Sequence, residues 1–122
     1  MLVDDSQDIR TLLAHVLRRA AAVVETASNG REAVDKAMSG NFGIVLMDLQ
    51  MPIMDGYTAF KELRKRNFEK PIFALTAHSM TEERIKCLEL GFNEHLGKPL
   101  NRDLLLQKIA HYTSDQTQNH TT

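Results

Sequence analysis

Phe42-Gly43-Ile44-Val45-Leu46-Met47-Asp48-Leu49-Gln50-Met51-Pro52-Ile53-Met54-Asp55-Gly56 carries an unbroken apolar run into a single carboxylate, Asp48, and then turns sharply. Ile, Val, Leu and Met in succession, without polar alternation, suit a strand covered on both faces of a parallel sheet, which leaves polar residues only at its ends. Asp48 then stands at the C-terminal edge of that strand. In open parallel sheets this edge is where ligands bind, so an acid placed there is a candidate functional group. The residues that follow make the turn. Pro52 fixes the backbone, Asp55 offers a side-chain acceptor to cap the next helix, and Gly56 is expected to relax the turn.

Outward from this stretch, an apolar strand running into a polar group recurs three times. Met1-Leu2-Val3 runs into Asp4-Asp5, Pro71-Ile72-Phe73-Ala74-Leu75 into Thr76, and Glu94-His95-Leu96-Gly97 into Lys98-Pro99. A fifth, β-branched segment, Val23-Val24-Glu25-Thr26-Ala27, ends at the turn Ser28-Asn29-Gly30. Amphipathic helices lie between. Behind a cap at Ser6, Ile9, Leu12, Leu13, Val16, Leu17 and Ala20 fall at helical spacing, with no stop in Ala20-Ala21-Ala22. Ala33, Val34, Ala37 and Met38 are expected inward behind an Asn29/Glu32 capping box, with Gly40 as the stop. Tyr57 to Arg66 carries Ala59, Phe60 and Leu63 on its apolar side, and Ser79 and Glu82 have the spacing to open a helix that closes at Leu90 and Gly91. Asn101 caps a last helix through Tyr112, with Leu105, Ile109 and Tyr112 on one stripe. Five strands alternating with five helices predict a doubly wound α/β fold, a five-stranded parallel sheet with helices on both faces. The domain spans 1–112, and the polar stretch 113–122 is expected to be a frayed tail or linker.

A chain of 122 residues makes one domain. With Lys+Arg 15 against Asp+Glu 16, no global field recruits nucleic acid or an anionic membrane. The one cysteine, Cys87, forms neither an internal disulfide nor a thiolate metal cage and reads as a packing residue, which fits a reducing compartment. No apolar run reaches the length of a membrane span and no signal peptide is visible, so a cytoplasmic location is expected. His15, His78, His95, His111 and His120 lack paired metal spacing, which argues against zinc, and the methionines read as core filler. Since Met1-Leu2-Val3 already reads as strand, a native start upstream of Met1 is compatible with the sequence.

If the four strand ends converge, Asp4, Asp5, Asp48, Thr76 and Lys98 share one edge. Three carboxylates in one cleft repel each other, and a hard divalent cation that prefers oxygen, Mg²⁺ before others, relieves this. Lys98 and Thr76 supply a point charge and a hydroxyl donor for the other oxygens of a phosphoryl group. With charge neutralised, Asp48 is the candidate nucleophile of an aspartyl phosphate.

Val3-Asp4-Asp5-Ser6, Asp48 through Gly56, Leu75-Thr76-Ala77 and Leu96-Gly97-Lys98-Pro99 together resemble the response-regulator receiver domain of two-component signalling, over nearly the whole chain up to about Tyr112. The resemblance implies a flavodoxin-like strand order 2-1-3-4-5. It also implies that Asp48 is the phospho-acceptor, Asp5 the direct Mg²⁺ ligand and Asp4 the acid behind it. Lys98 and Thr76 become the phosphoryl-binding pair, and the Gln50 backbone carbonyl completes the metal site. Gln50 and His78 hold the positions that tune phosphoryl lifetime. A histidine kinase or histidine phosphotransfer domain is the implied donor, and the fourth helix, fifth strand and fifth helix are the implied face for an effector or a second copy. The module is then a phospho-acceptor that assists its own phosphorylation and dephosphorylation, not an enzyme with turnover.

Two departures stand out: Ala21 replaces a usual Gly, and His95 replaces the Tyr or Phe ring that rotates with Thr76 on activation. A buried imidazole favours its neutral form unless an acid is near, and alternation turns the sequence neighbour Glu94 to the other face. Partner binding is therefore expected to weaken as pH falls through the histidine range. The strand-end wording is similar to receivers fused to hybrid kinases, and both that setting and a single-domain regulator stay open. The rival enzyme reading is a Mg²⁺-dependent phosphohydrolase with an aspartyl-phosphate intermediate, which lacks a second acid where Gln50 stands. A phosphorylation-independent scaffold has the intact site residues against it.

Overall fold

Parallel strands need a covering layer on each face, and alternation along each strand decides which side chains meet which layer. The structure, a computed structural model, describes residues 1–19, 25–40, 42–77, 81–98 and 100–121, with side chains through residue 112 other than that of residue 19. Its elements are β1 (Leu2–Val3), α1 (Gln7–Arg19), β2 (Thr26–Ala27), α2 (Gly30–Ser39), β3 (Val45–Asp48), α3 (Gly56–Lys65), β4 (Ile72–Thr76), α4 (Thr81–Leu90), β5 (Glu94–Gly97) and α5 (Arg102–Thr121). All pairings are parallel and the spatial order is β2-β1-β3-β4-β5. The order reverses between β1 and β3, which sets the C-terminal ends of those two strands side by side.

Alternation divides the core in two. Val3, Val45, Met47, Ile72 and Ala74 face α2, α3 and α4, which contribute Ala33, Val34, Ala37, Ala59, Phe60, Leu63 and Cys87. Leu2, Leu46, Phe73, Leu75 and Leu96 face Leu13 and Leu17 of α1 and Leu105 of α5. By the same parity Thr76 and His95 turn toward the α4 layer, while Glu94 turns to α5, where it accepts from the Tyr112 hydroxyl at 3.1 Å and pairs with Lys108 at 3.3 Å. Cys87 is fully buried, as a packing residue should be.

The caps follow the sequence closely. Asn29 Oδ1 accepts from Glu32 N–H at 2.9 Å, Asp55 Oδ1 from Thr58 N–H at 2.8 Å and Asn101 Oδ1 from Leu104 N–H at 3.0 Å. Glu32 reaches past the expected box to Ser28, whose hydroxyl and N–H hold its carboxyl down to about 2. Gly91 takes φ +116°, a left-handed stop for α4.

Four expectations need correction. Leu12 and Met38 are 63% and 43% exposed, because α1 and α2 lie by strands of only two residues and their buried stripes are narrower than periodicity suggests. Helix α5 continues to Thr121 where the apolar stripe ended at Tyr112, since no Gly or Pro interrupts the intervening residues. The last correction concerns the turn after β3. Its left-handed residue is Ile53, at φ +70°, with Met54 N–H bonded to the Pro52 carbonyl at 2.7 Å. Gly56 answers a steric demand instead, because a Cβ there would meet the Asp48 carbonyl oxygen at 2.3 Å. Ala21 and the expected strand residues Val23 and Val24 lie outside the described residues.

A three-residue turn with positive φ is the strained kind, and β-branched Ile53 is poorly suited to it. Ile53 is also 82% exposed, so little burial is lost by replacing it. Ile53→Asn should therefore stabilise the fold by about 1 kcal/mol. A urea midpoint that stays put or falls would show that the side chain makes up for its backbone strain.

Candidate functional site

The ends of β1, β3, β4 and β5 bring their polar residues to one edge of the sheet. Asp4 is fully buried and Asp48 is 4% exposed. The Lys98 ammonium joins them, with Nζ 2.8 Å from Asp4 Oδ2 and 3.1 Å from Asp48 Oδ2. Their other oxygens are held as well: Asp4 Oδ1 accepts from Ser6 N–H at 2.9 Å and Asp48 Oδ1 from Gln50 N–H at 3.2 Å. Arg10 donates to the Asp4 backbone carbonyl at 2.6 Å, which braces the end of β1 from α1. Asp5 is exposed beside this pair, and one carboxylate oxygen from each of Asp4, Asp5 and Asp48 lies within 4.8 Å of the others.

Removal from water pushes the Asp48 carboxyl above its usual range, and the neighbouring Asp4 charge adds to this, against the Gln50 N–H and Lys98. Burial opposes the charge on Lys98, but its hydrogen bonds to Asp4 and Asp48 outweigh that and raise it. Ionised Asp48 is thus costly as it stands and gains from any added cation. An all-oxygen donor set clustered this tightly and open on the Asp5 side suits a hard divalent cation.

Thr76 is fully buried, and its hydroxyl donates to Glu83 Oε1 at 3.0 Å. His95 is 4% exposed, with Nε2 at 4.0 Å from the same Glu83 oxygen and no hydrogen-bond partner among the described residues. Burial lowers its pKa; Glu83 acts upward and Arg84 downward. The acid near His95 is therefore Glu83 from α4, where the sequence offered only Glu94. His78 and Pro99 lie outside the described residues.

Sequence reading brought Asp4, Asp5, Asp48 and Lys98 together correctly but missed Glu83 and Arg10. Glu83 had an ordinary explanation as an acid in the first turn of a helix, where the helix dipole favours one. Its spacing from Thr76 carries meaning only once α4 is laid on the sheet. Arg10 read as one of several charges on the solvent face of α1.

The sequence profile of the response regulator receiver domain matches residues 1–110. The sensor histidine kinase RcsC of Salmonella typhimurium is 36% identical over 112 residues, 92% of this chain and 12% of RcsC. The transcriptional regulatory protein SrrA of Staphylococcus aureus is 34% identical over 98% of this chain and 52% of its own length. The chain thus spans a small part of the first and about half of the second. Among solved structures, Vibrio cholerae chemotaxis protein CheY4 superposes with a TM-score of 0.83 at 34% identity, covering 91% of this chain and 94% of that one. The Thermotoga maritima response regulator TrrA, solved in complex with Mg(2+)-BeF, gives 0.81 at 33% identity, covering 91% and 95%.

Proposed function

Because the chain belongs to the response regulator receiver domain family of two-component signalling, we propose that Asp48 accepts a phosphoryl group from a histidine kinase or histidine phosphotransfer domain. The observation that carries this reading is the Lys98 ammonium held between Asp48 and Asp4 where the strand order reverses. An Asp48 carboxylate oxygen attacks phosphorus, the bond from phosphorus to the donor imidazole nitrogen breaks with its electron pair returning to the ring, and an acyl phosphate results. Lys98 exchanges carboxylate contacts for a phosphoryl oxygen, and the Thr76 hydroxyl serves a second oxygen. Asp4, Asp5, Asp48 and the Gln50 backbone carbonyl would hold Mg²⁺, which when bound neutralises charge between the carboxylates and the incoming group. Gln50 and His78 tune how long the acyl phosphate lasts.

The output is a changed protein-binding surface on α4, β5 and α5, and this agrees with apolar Ile85 and Leu88 on α4 and Leu104 on α5 being 49%, 39% and 41% exposed. Residues 113–122 serve as a polar tail or linker. No helix among the described residues is long and apolar enough to cross a membrane, which agrees with action in the cytoplasm.

Mass spectrometry after exposure to acetyl phosphate and Mg²⁺ should find one alkali-labile phosphoryl group, on Asp48. Sustained turnover of small phosphate esters, or a label elsewhere, would overturn the reading. Metal titration tests the ligand assignment: Asp5→Ala and Asp4→Ala should each weaken Mg²⁺ binding by about tenfold or more, with the larger loss at Asp5. Asp4 already serves Ser6 and Lys98, whereas Asp5 faces solvent. Equal losses would remove the asymmetry.

A further inference from the structure

One carboxylate oxygen stands between two groups that belong to different strands. Thr76 ends β4 and His95 lies on β5, paired in register with Ala74, and alternation turns both toward α4. Glu83, in the first turn of α4, places Oε1 3.0 Å from Thr76 Oγ1 and 4.0 Å from His95 Nε2. The same residue lines the open groove shared with Gln50, next to the acidic edge. A hydroxyl has one proton to donate, so while Thr76 gives it to Glu83 it cannot give it to a phosphoryl oxygen. Meanwhile His95 Nε2 is buried without a partner among the described residues, an arrangement that is costly unless another state relieves it.

We propose that Glu83 is a positioning residue that exchanges donors, holding the Thr76 hydroxyl in the unphosphorylated state and accepting His95 Nε2–H once Thr76 turns to the phosphoryl group. This rests on the phospho-acceptor reading of Asp48. Release of Thr76 frees the Glu83 oxygen, and a closing movement of about 1 Å brings the imidazole from 4.0 Å into hydrogen-bond range. Both the neutral Nε2–H tautomer and the imidazolium donate there. The charges that bear on the ring are Glu83 and Arg84, both from α4, while Ala74 opposite it on β4 brings none. The exchange reverses the pH trend expected from sequence. With a carboxylate drawn to His95, mild acid favours the switched state in place of opposing it.

The test measures binding of beryllofluoride, a phosphoryl mimic, with Mg²⁺ to the full chain carrying Glu83, Glu83→Gln or Glu83→Ala, each with Thr76 or Thr76→Val. In a His95→Phe background, where the switched-state bond to Glu83 cannot form, Glu83→Ala should bind about tenfold more tightly, and Glu83→Gln, which keeps an acceptor without the charge, should gain less. Both gains should vanish in the Thr76→Val background. By NMR, the His95 pKa should rise on beryllofluoride binding in the wild type and stay put in Glu83→Ala. Unchanged or weaker binding by folded Glu83→Ala in the His95→Phe background overturns the latch. So does an equal gain in Thr76→Val, which would make the effect one of charge alone, and so does a His95 that does not respond. Wild-type protein that binds Mg²⁺ but not beryllofluoride would overturn the phospho-acceptor reading itself, a different result from any of these.

Discussion

Asp48→Asn should abolish phosphoryl incorporation from any donor while leaving the protein folded. The amide is neither a nucleophile nor a useful ligand for a hard cation. It keeps the carbonyl oxygen that accepts the Gln50 N–H, and Lys98 keeps Asp4 as its partner. At neutral pH the ionised carboxylate is held where burial and the Asp4 charge raise its pKa, so the charge opposes folding, and neutralising it removes that cost. Stability should therefore be unchanged or higher, within about 1 kcal/mol. The measurements are phosphoryl uptake by mass spectrometry and urea unfolding of the same samples. Uptake at the wild-type rate would place the acceptor elsewhere, and a loss of several kcal/mol would mean that Asp48 is part of the fold's support.

Gly56→Ala should destabilise the protein by about 2 kcal/mol and weaken Mg²⁺ binding with it. Two effects oppose each other. Alanine in place of glycine favours a helix by about 1 kcal/mol, and Gly56 opens α3. Against this, the new Cβ would sit 2.3 Å from the Asp48 carbonyl oxygen and 2.8 Å from the Leu49 Cα, both backbone atoms. Backbone does not step aside as a side-chain tip does, and overpacking of this kind costs about 3 kcal/mol. The clash wins, and because it is with Asp48 itself the strain moves the acceptor strand. A more stable Gly56→Ala would show that the close approach is readily relaxed. A destabilised protein with unchanged metal affinity would separate the turn from the site.

Much of this molecule is legible along the chain because the signals are local. An apolar run that stops at Asp4, Asp48, Thr76 or Lys98 marks both a buried strand and the edge where ligands bind. The caps at Asn29, Asp55 and Asn101 are satisfied within three residues of themselves. Gathering Asp4, Asp5, Asp48 and Lys98 needs the strand order as well, which the family resemblance implied and the sheet adopts as β2-β1-β3-β4-β5.

What only the tertiary structure decided depends on groups distant in sequence. Helix α4 buries Cys87 alone among its ten residues, so its periodicity says little about how it is rotated on the sheet, and the meeting of Glu83 with Thr76 and His95 was invisible. The positive φ at Ile53 is imposed where the Gly30 N–H takes the Met54 carbonyl and Gly56 packs on the Asp48 backbone, contacts no turn rule anticipates. Leu12 and Met38 came out exposed for a related reason, since the width of a buried stripe is set by the sheet beneath it and not by the helix. Local sequence determines which groups stand at the edge of the sheet. Which carboxylate touches which donor there is decided by register and helix rotation, because a hydrogen bond is sensitive to fractions of an ångström that periodicity does not resolve.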